Sequence, residues 1–353
     1  MNILPIWRRD DGSVVSCVEK IKVMRENFEE IQQMMQDAFE DGLLLEVSNT
    51  QMRETLSLIV EQLVNPYQTI SKMMKLPRDT SLPFFAYGIF KPTEISHFQI
   101  KDFVKSTTEI TIKGKLSVRD GLPIFDASGQ EFVSGSLIHF FHDKQSEAYQ
   151  RISEMEPDNH YSWEEGQVET QLINILHGKS LNKGADFLDE QKWDSWSDPL
   201  FTSALEAIGE TLETNSELSH DFKENSKKLF HLQMAYLLLW SSIERYVSLR
   251  YRLDGTAATK KVLALAKEEA FRNALLIGVT RTDKVYRADD PTKHSVLDNN
   301  NSKKSLEYYY QIRSNITHRG KGINKDFQKV KESLEELLFI FKEVLKSAQN
   351  DAL

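Results

Sequence analysis

Arg313 and His318 stand five residues apart in the run Tyr308-Tyr309-Tyr310-Gln311-Ile312-Arg313-Ser314-Asn315-Ile316-Thr317-His318-Arg319-Gly320. The pattern predicts a helix around this run, with Gly320 and Gly322 as stop signals, so His318 falls in its last turn. There the negative end of the helix dipole favours imidazolium, which suits a histidine that must hold or donate a proton. Arg313 is permanently charged and can grip a phosphate through two N–H groups at once. Five residues at about 100° each leave the two side chains roughly 140° apart around the helix. A single helix is therefore a poor site, and two copies facing each other across a dimer seam make a better one. A plainer arrangement uses the same residues: Arg313 pairs with a carboxylate such as Glu244 while His318 caps carbonyls.

A second constellation lies upstream, in Phe85-Ala86-Tyr87-Gly88-Ile89-Phe90-Lys91-Pro92. It reads as a strand ending in a turn. Backbone N–H groups just after such a strand can form an anion-binding nest, and Gly88 permits close approach.

The elements that must position these residues predict a multidomain α+β chain. Residues 1–75 form an N-terminal helical region. One helix runs from Val18 to Phe39, and a second is capped at Asn49 or Thr50 and stops before Pro66. Their apolar stripe serves as a core or as a partner-binding surface. Residues 82–172 carry short β-favouring runs punctuated by Gly and Pro, with one helix from Lys144 to about Met155; they make a small mixed, barrel-like domain. Residues 178–217, with Trp193, Trp196 and Pro199, read as a linker and a helix. Residues 218–353 form an all-α bundle of four helices, with a long polar loop between Val279 and Ser302.

Composition narrows the setting. The chain has 353 residues and a net charge of −9, which argues against a generally basic nucleic-acid coat. That sum hides a segment: from Arg245 to Lys321 there are 16 Lys and Arg against 8 Asp and Glu, a balance of +8 beside −17 elsewhere. One cysteine, Cys17, excludes an internal disulfide framework and a cysteine-based zinc site. The apolar run from Met234 to Trp240 is too short to span a bilayer, and the N-terminus has no apolar signal core, so a cytoplasmic, membrane-free setting is expected. The remaining histidines show no metal-ligand spacing; His139 and His142 form a weak His-x-x-His pair. There is no Walker loop, dinucleotide turn or nucleophile elbow, and no cofactor is expected.

The Tyr-x-x-Arg-Ser-x-Ile-x-His-Arg-Gly run, with the preceding Leu239-Trp240-Ser241-Ser242-Ile243-Glu244-Arg245, resembles the HEPN superfamily, especially its Apea-like branch, over about residues 220–348. The resemblance implies a helical, commonly dimeric domain and a metal-independent endoribonuclease in which Arg313 and His318 occupy the two defining motif positions. A 2′-hydroxyl would attack its own phosphodiester, leaving a 2′,3′-cyclic phosphate and a 5′-hydroxyl. His318 would act as general acid/base and Arg313 would stabilise phosphoryl charge, with Asn315, Glu244 or a tyrosine among Tyr308–Tyr310 orienting groups or stacking on a base. The partners so implied are RNA and a second copy of the chain, or a higher homo-oligomer, in a toxin or antiviral-defence role open to an inhibitory partner.

The upstream turn, then Gly114-Lys115-Leu116, Gly135-Ser136-Leu137 and the segment from Ala148 to Pro157, resembles the gamma-glutamylcyclotransferase-like family over about residues 84–170. That resemblance assigns the proton-moving glutamate to Glu156, with Glu154 as its neighbouring alternative, and the pocket turn to Tyr87, Gly88, Ile89 and Phe90. Phe90, Pro157 and Ile152-Ser153 depart from the family pattern. The native ligand is therefore open, and the domain is expected to sense or regulate through a small molecule. The alternative is a gamma-glutamyl-type cyclotransferase whose helical region only dimerises it.

Overall fold

A computed structural model of the chain describes residues 6–8, 14–15, 18–63, 74–119, 121–156, 160–179, 186–188, 190–251, 263–288, 290–319 and 323–351. The chain divides into two compact units, Met1–Ile70 and Ser71–Leu353. Cys17 and Pro66 lie outside the described residues.

The first unit is a helical hairpin of α1 (Val18–Leu44) and α2 (Asn49–Glu61). The cap of α2 is Ser48, one residue earlier than expected: Ser48 is extended, and its side chain accepts from Gln51 N–H. This satisfies one of the free donors at the helix start. Gly42 lets Met52 pack directly on the α1 backbone. The apolar stripe is otherwise open, with Phe28, Ile31, Met34, Leu58 and Leu63 exposed. It is a surface within this unit rather than a core.

The second unit combines a mixed sheet with helices. The strands are β1 (Phe84–Ala86), β2 (Val104–Arg119), β3 (Leu122–Phe140), β4 (Tyr161–Val168), β5 (Gln171–Gly178) and β6 (Asp186–Phe187), in the order β4-β5-β1-β3-β2-β6. β1 is antiparallel to β3, with Phe84 opposite Ile138, and parallel to β5, with Phe84 opposite Asn174. The barrel expected for this region is not closed among the described residues. β4 and β6 stand at opposite ends of the order, and the β2–β3 ladder runs far beyond the three residues of β1. The boundary expected at residue 172 falls inside β5. Helix α3 (Gln145–Met155) covers one face through Ala148, Tyr149, Ile152 and Met155, at helical spacing. Tyr149 packs edge-on against Phe84, Phe140 and Trp163.

Helices α4 (Ser203–Thr214), α5 (Phe222–Tyr251), α6 (Glu269–Gly278), α7 (Ser302–Arg319) and α8 (Ile323–Asn350) follow. Leu334, Leu337, Phe341, Val344 and Ala348 of α8 are buried at three- and four-residue spacing. Each such side chain stabilises the bundle by about 1.5–3 kcal/mol when it is large and fully buried. The region is not all-α as expected: the polar loop before α7 contains a β-hairpin of β7 (Asp283–Tyr286) and β8 (His294–Leu297).

Sheet and bundle are stitched together by polar contacts. The last turn of α5 leaves carbonyls without helical partners. Ser96 Oγ donates to Leu249 O at 2.6 Å, and Gln99 Nε2 donates to Arg250 O at 3.2 Å. Arg250 answers by donating to Ile95 O and lying 4.1 Å over the Phe98 ring. Arg245 reaches Asp198 and the Gly121 carbonyl in the β2–β3 turn, each at 2.8 Å. No described helix is long and apolar enough to cross a membrane.

Candidate functional sites

Tyr87, Gly88, Ile89, Phe90 and Glu156 line one cavity together with Tyr161. The sheet and α3 bring them there from opposite sides. β1 ends at Ala86 and the chain turns at Gly88, where an added Cβ would stand 2.7 Å from Pro123 Cγ. Glu156 is the first residue past α3; its extended backbone still donates to Ile152 O, and the residue is 6% exposed. The Tyr87 hydroxyl donates to Leu176 O at 2.6 Å and the Tyr161 hydroxyl to Pro123 O at 2.8 Å. Burial pushes the Tyr87 phenol well above its ordinary range, with the nearby Tyr161 and Glu156 adding to the effect. Each phenol's proton is committed to a backbone carbonyl. The cavity measures about 20 Å³, room for about one water. A peptide-sized ligand requires it to open.

The second site lies on α7, whose start is capped by Asn301: its side chain accepts from Lys304 N–H. Arg313 Nη2 lies 3.9 Å from Glu244 Oε1 on α5, and the two side chains are 30% and 34% exposed. The pair is electrostatic without a hydrogen bond, since neither Arg313 Nε nor Glu244 Oε1 has a hydrogen-bond partner. Arg313 also lies 5.8 Å from the centre of the Tyr310 ring, which packs edge-on against Trp240. The result is a guanidinium held by charge and ring, with donors left for an oxyanion. The backbone of His318 lies near the end of α7 (Ser302–Arg319), while Gly320 and Gly322 lie outside the described residues. The His318 side chain lies outside them too.

Other candidates near Arg313 have different work. Asn315 Oδ1 accepts from Ala288 N–H and Gln311 Nε2, while Asn315 Nδ2 donates to Tyr286 O at 2.8 Å. Its amide fastens the β7–β8 hairpin to α7 and is not directed at a substrate. Tyr308 and Tyr309 are fully buried, so neither can stack on a base. Tyr308 donates to Asp283 and Tyr309 to Glu336. Tyr310 is the half-buried member of the three.

Two polar clusters escaped the sequence reading. Lys91 Nζ sits 3.1 Å from Glu94 Oε1 and donates to Trp193 O, with both side chains almost fully buried. Glu94 Oε2 accepts from Ser195 N–H and Oγ, each at 2.7 Å. Burial pushes the Glu94 carboxyl up, against the pull of Lys91 and Ser195. On the bundle, Arg281 donates to both oxygens of Glu336 and to Asp283. The first cluster joins partners about one hundred positions apart, which no local spacing reveals.

These pairs also revise the charge reading of 245–321. Arg245, Arg250 and Arg281 are held by Asp198, Glu268 and Glu336. Part of the basic excess is neutralised by acids outside the segment or buried within it. Among the described residues no cluster of three His, Cys, Asp or Glu is arranged to hold a metal ion. No family model matches the chain, and neither a curated protein nor a solved structure matches it.

Proposed function

We propose that the helical region is a metal-independent endoribonuclease of the HEPN kind, completed by a second copy of the chain, and that the sheet region is its sensor. The observation that carries this reading is the state of Arg313: its side chain is 30% exposed, its Nη2 lies 3.9 Å from Glu244 without a hydrogen bond, and its buried Nε has no hydrogen-bond partner. A guanidinium with open donors stabilises charge developing on a phosphoryl oxygen. His318, five residues along the same helix, takes the proton from the RNA 2′-hydroxyl as that oxygen attacks its phosphorus. The imidazole of the second copy returns a proton to the departing 5′-oxygen, leaving a 2′,3′-cyclic phosphate and a 5′-hydroxyl. Asn315 serves this site by holding the hairpin against α7.

Incubation with total RNA in EDTA, followed by end-group analysis, tests the reading. Cyclic phosphate ends are expected from the full chain, and none from His318→Ala. Equal cleavage by that variant, or intact RNA with both, overturns it.

A second reading rests on the cavity. Five residues from the two ends of an 70-residue stretch converge on one point, which supports a ligand pocket of the gamma-glutamylcyclotransferase kind. Glu156 is the proton-moving group in that reading. Release of 5-oxoproline from a γ-glutamyl peptide, lost in Glu156→Gln, is its test.

A further inference from the structure

Beside the start of α7 lies a cavity of about 490 Å³ lined by Leu263, Ala266, Lys267, Arg272, Ser302 and Lys303. Its walls are tied together where Ser302 Oγ donates to Ala266 O at 2.8 Å. Lys267, Arg272 and Lys303 are all exposed. None has a carboxylate at ion-pair distance among the described residues. By contrast, Arg245, Arg250, Arg281 and Lys293 of the same segment are paired with acids. Lys284 and Lys304 are also without such a partner among the described residues but do not line this cavity. Glu268, next to Lys267, is turned inward and accepts from the Tyr246 and Tyr251 hydroxyls. Glu269 follows it on the first turn of α6.

Three unneutralised cations around one cavity repel each other and are most stable when an anion joins them. Leu263 and Ala266 add an apolar wall, which suits an anion carrying a flat organic group. Lys303 and Arg313 share α7, ten residues apart, or about 15 Å along its axis. A short single strand spans that distance. We infer that this cavity is a second phosphate subsite for single-stranded RNA, holding a nucleotide a few positions from the bond cleaved at Arg313. The inference rests on the ribonuclease reading and supplies what that reading lacks, a place for the strand beyond the reacting phosphate.

Binding of a fluorescent 12-residue oligouridylate to the uncleaving His318→Ala chain tests it. Lys267→Gln, Arg272→Gln and Lys303→Gln are combined in one variant and compared with Lys223→Gln, Lys342→Gln and Lys346→Gln, which remove the same charge elsewhere. The cavity variant is expected to raise Kd at least tenfold and to lower the slope of log K against log salt by about 2, as three lost phosphate contacts require on a single strand. The second variant is expected to stay within about threefold of its parent, the general charge effect alone. Circular dichroism and thermal unfolding check that both variants fold. Tight oligouridylate binding unaffected by the cavity variant overturns this inference and leaves the ribonuclease reading standing. Equal weakening by both variants also overturns it. Displacement of the strand by stoichiometric UMP assigns the cavity to a free nucleotide instead. No oligouridylate binding by the parent chain overturns both readings.

Discussion

Glu156 and Arg313 carry opposite charges into opposite surroundings. Glu156 sits at the end of α3 among two phenols whose protons are committed to carbonyls, around a cavity no larger than about one water. Arg313 rides on an outer face of the bundle beside a carboxylate too far for a hydrogen bond. The sheet cavity is shut, whereas Arg313 is partly exposed. On the proposed reading a ligand would open the first and a second copy of the chain would complete the second, two different controls.

The comparison can be strained first where burial is deepest. Lys91→Met leaves Glu94 buried without its cation and should cost about 3–5 kcal/mol, read as a lower thermal midpoint. Burial already raises the Glu94 carboxyl, so the native state holds its proton to higher pH than the unfolded chain. Its contribution is therefore most favourable below the ordinary carboxylate pKa and declines as pH rises through the raised value. The Lys91→Met deficit should accordingly shrink on acidification; a deficit that grows would refute the assignment. Gly88→Ala comes next. The new methyl group meets the Pro123 ring, which cannot swing aside, and should cost about 1–3 kcal/mol while abolishing any ligand-induced thermal shift.

Smaller effects belong to the helical side. Asn315→Ala removes the two hydrogen bonds that anchor the hairpin and should cost about 1–2 kcal/mol, with hydrogen exchange quickening in β7 and β8 before α7. Arg313→Ala should change stability by less than about 1 kcal/mol, as exposed ion pairs do, yet lower cleavage by orders of magnitude. A stability loss as large as that of Lys91→Met would make Arg313 a structural residue. The hairpin also has a local pH response. Hydrogen bonds from Thr292 and Lys293 push the Asp290 carboxyl down to about 2. Burial works to raise Asp283, but its bonds to Lys329 and Tyr308 outweigh this and hold it low. A depressed carboxyl contributes fully above its unfolded value near 3.8 and is lost as pH falls through the folded one. Carboxyl titration by NMR should show Asp290 protonating only near pH 2.

What was legible in the sequence follows the range of the interactions. α3, α7 and α8 were readable because their apolar spacing repeats within a few residues. Tyr87–Phe90 and Glu156 were brought together beforehand only by the family resemblance, and they line one cavity. The β7–β8 hairpin was not: each strand has four residues, and neither alternates cleanly enough to stand out from a polar loop. The anchoring of the hairpin by Asn315 was hidden for the same reason, since its partners Tyr286 and Ala288 lie there. Charge counting over 245–321 failed at Arg245 and Arg281, whose neutralising acids, Asp198 and Glu336, lie outside the counted window.

The capping of α5 by Ser96 and Gln99 bears on how the chain can be cut. Helix ends whose carbonyls lack donors fray, and the donors here come from residues about 150 positions upstream. Contacts so distant in sequence form late and slowly in folding. The last turn of α5 is expected to be ordered only once the sheet is in place. A fragment beginning near residue 218 should start with a frayed α5 and expose the Arg250 side chain, where the full chain buries it against Phe98. Proteases should find that turn in the fragment and miss it in the intact protein, so the helical region matures under the supervision of the sheet it follows.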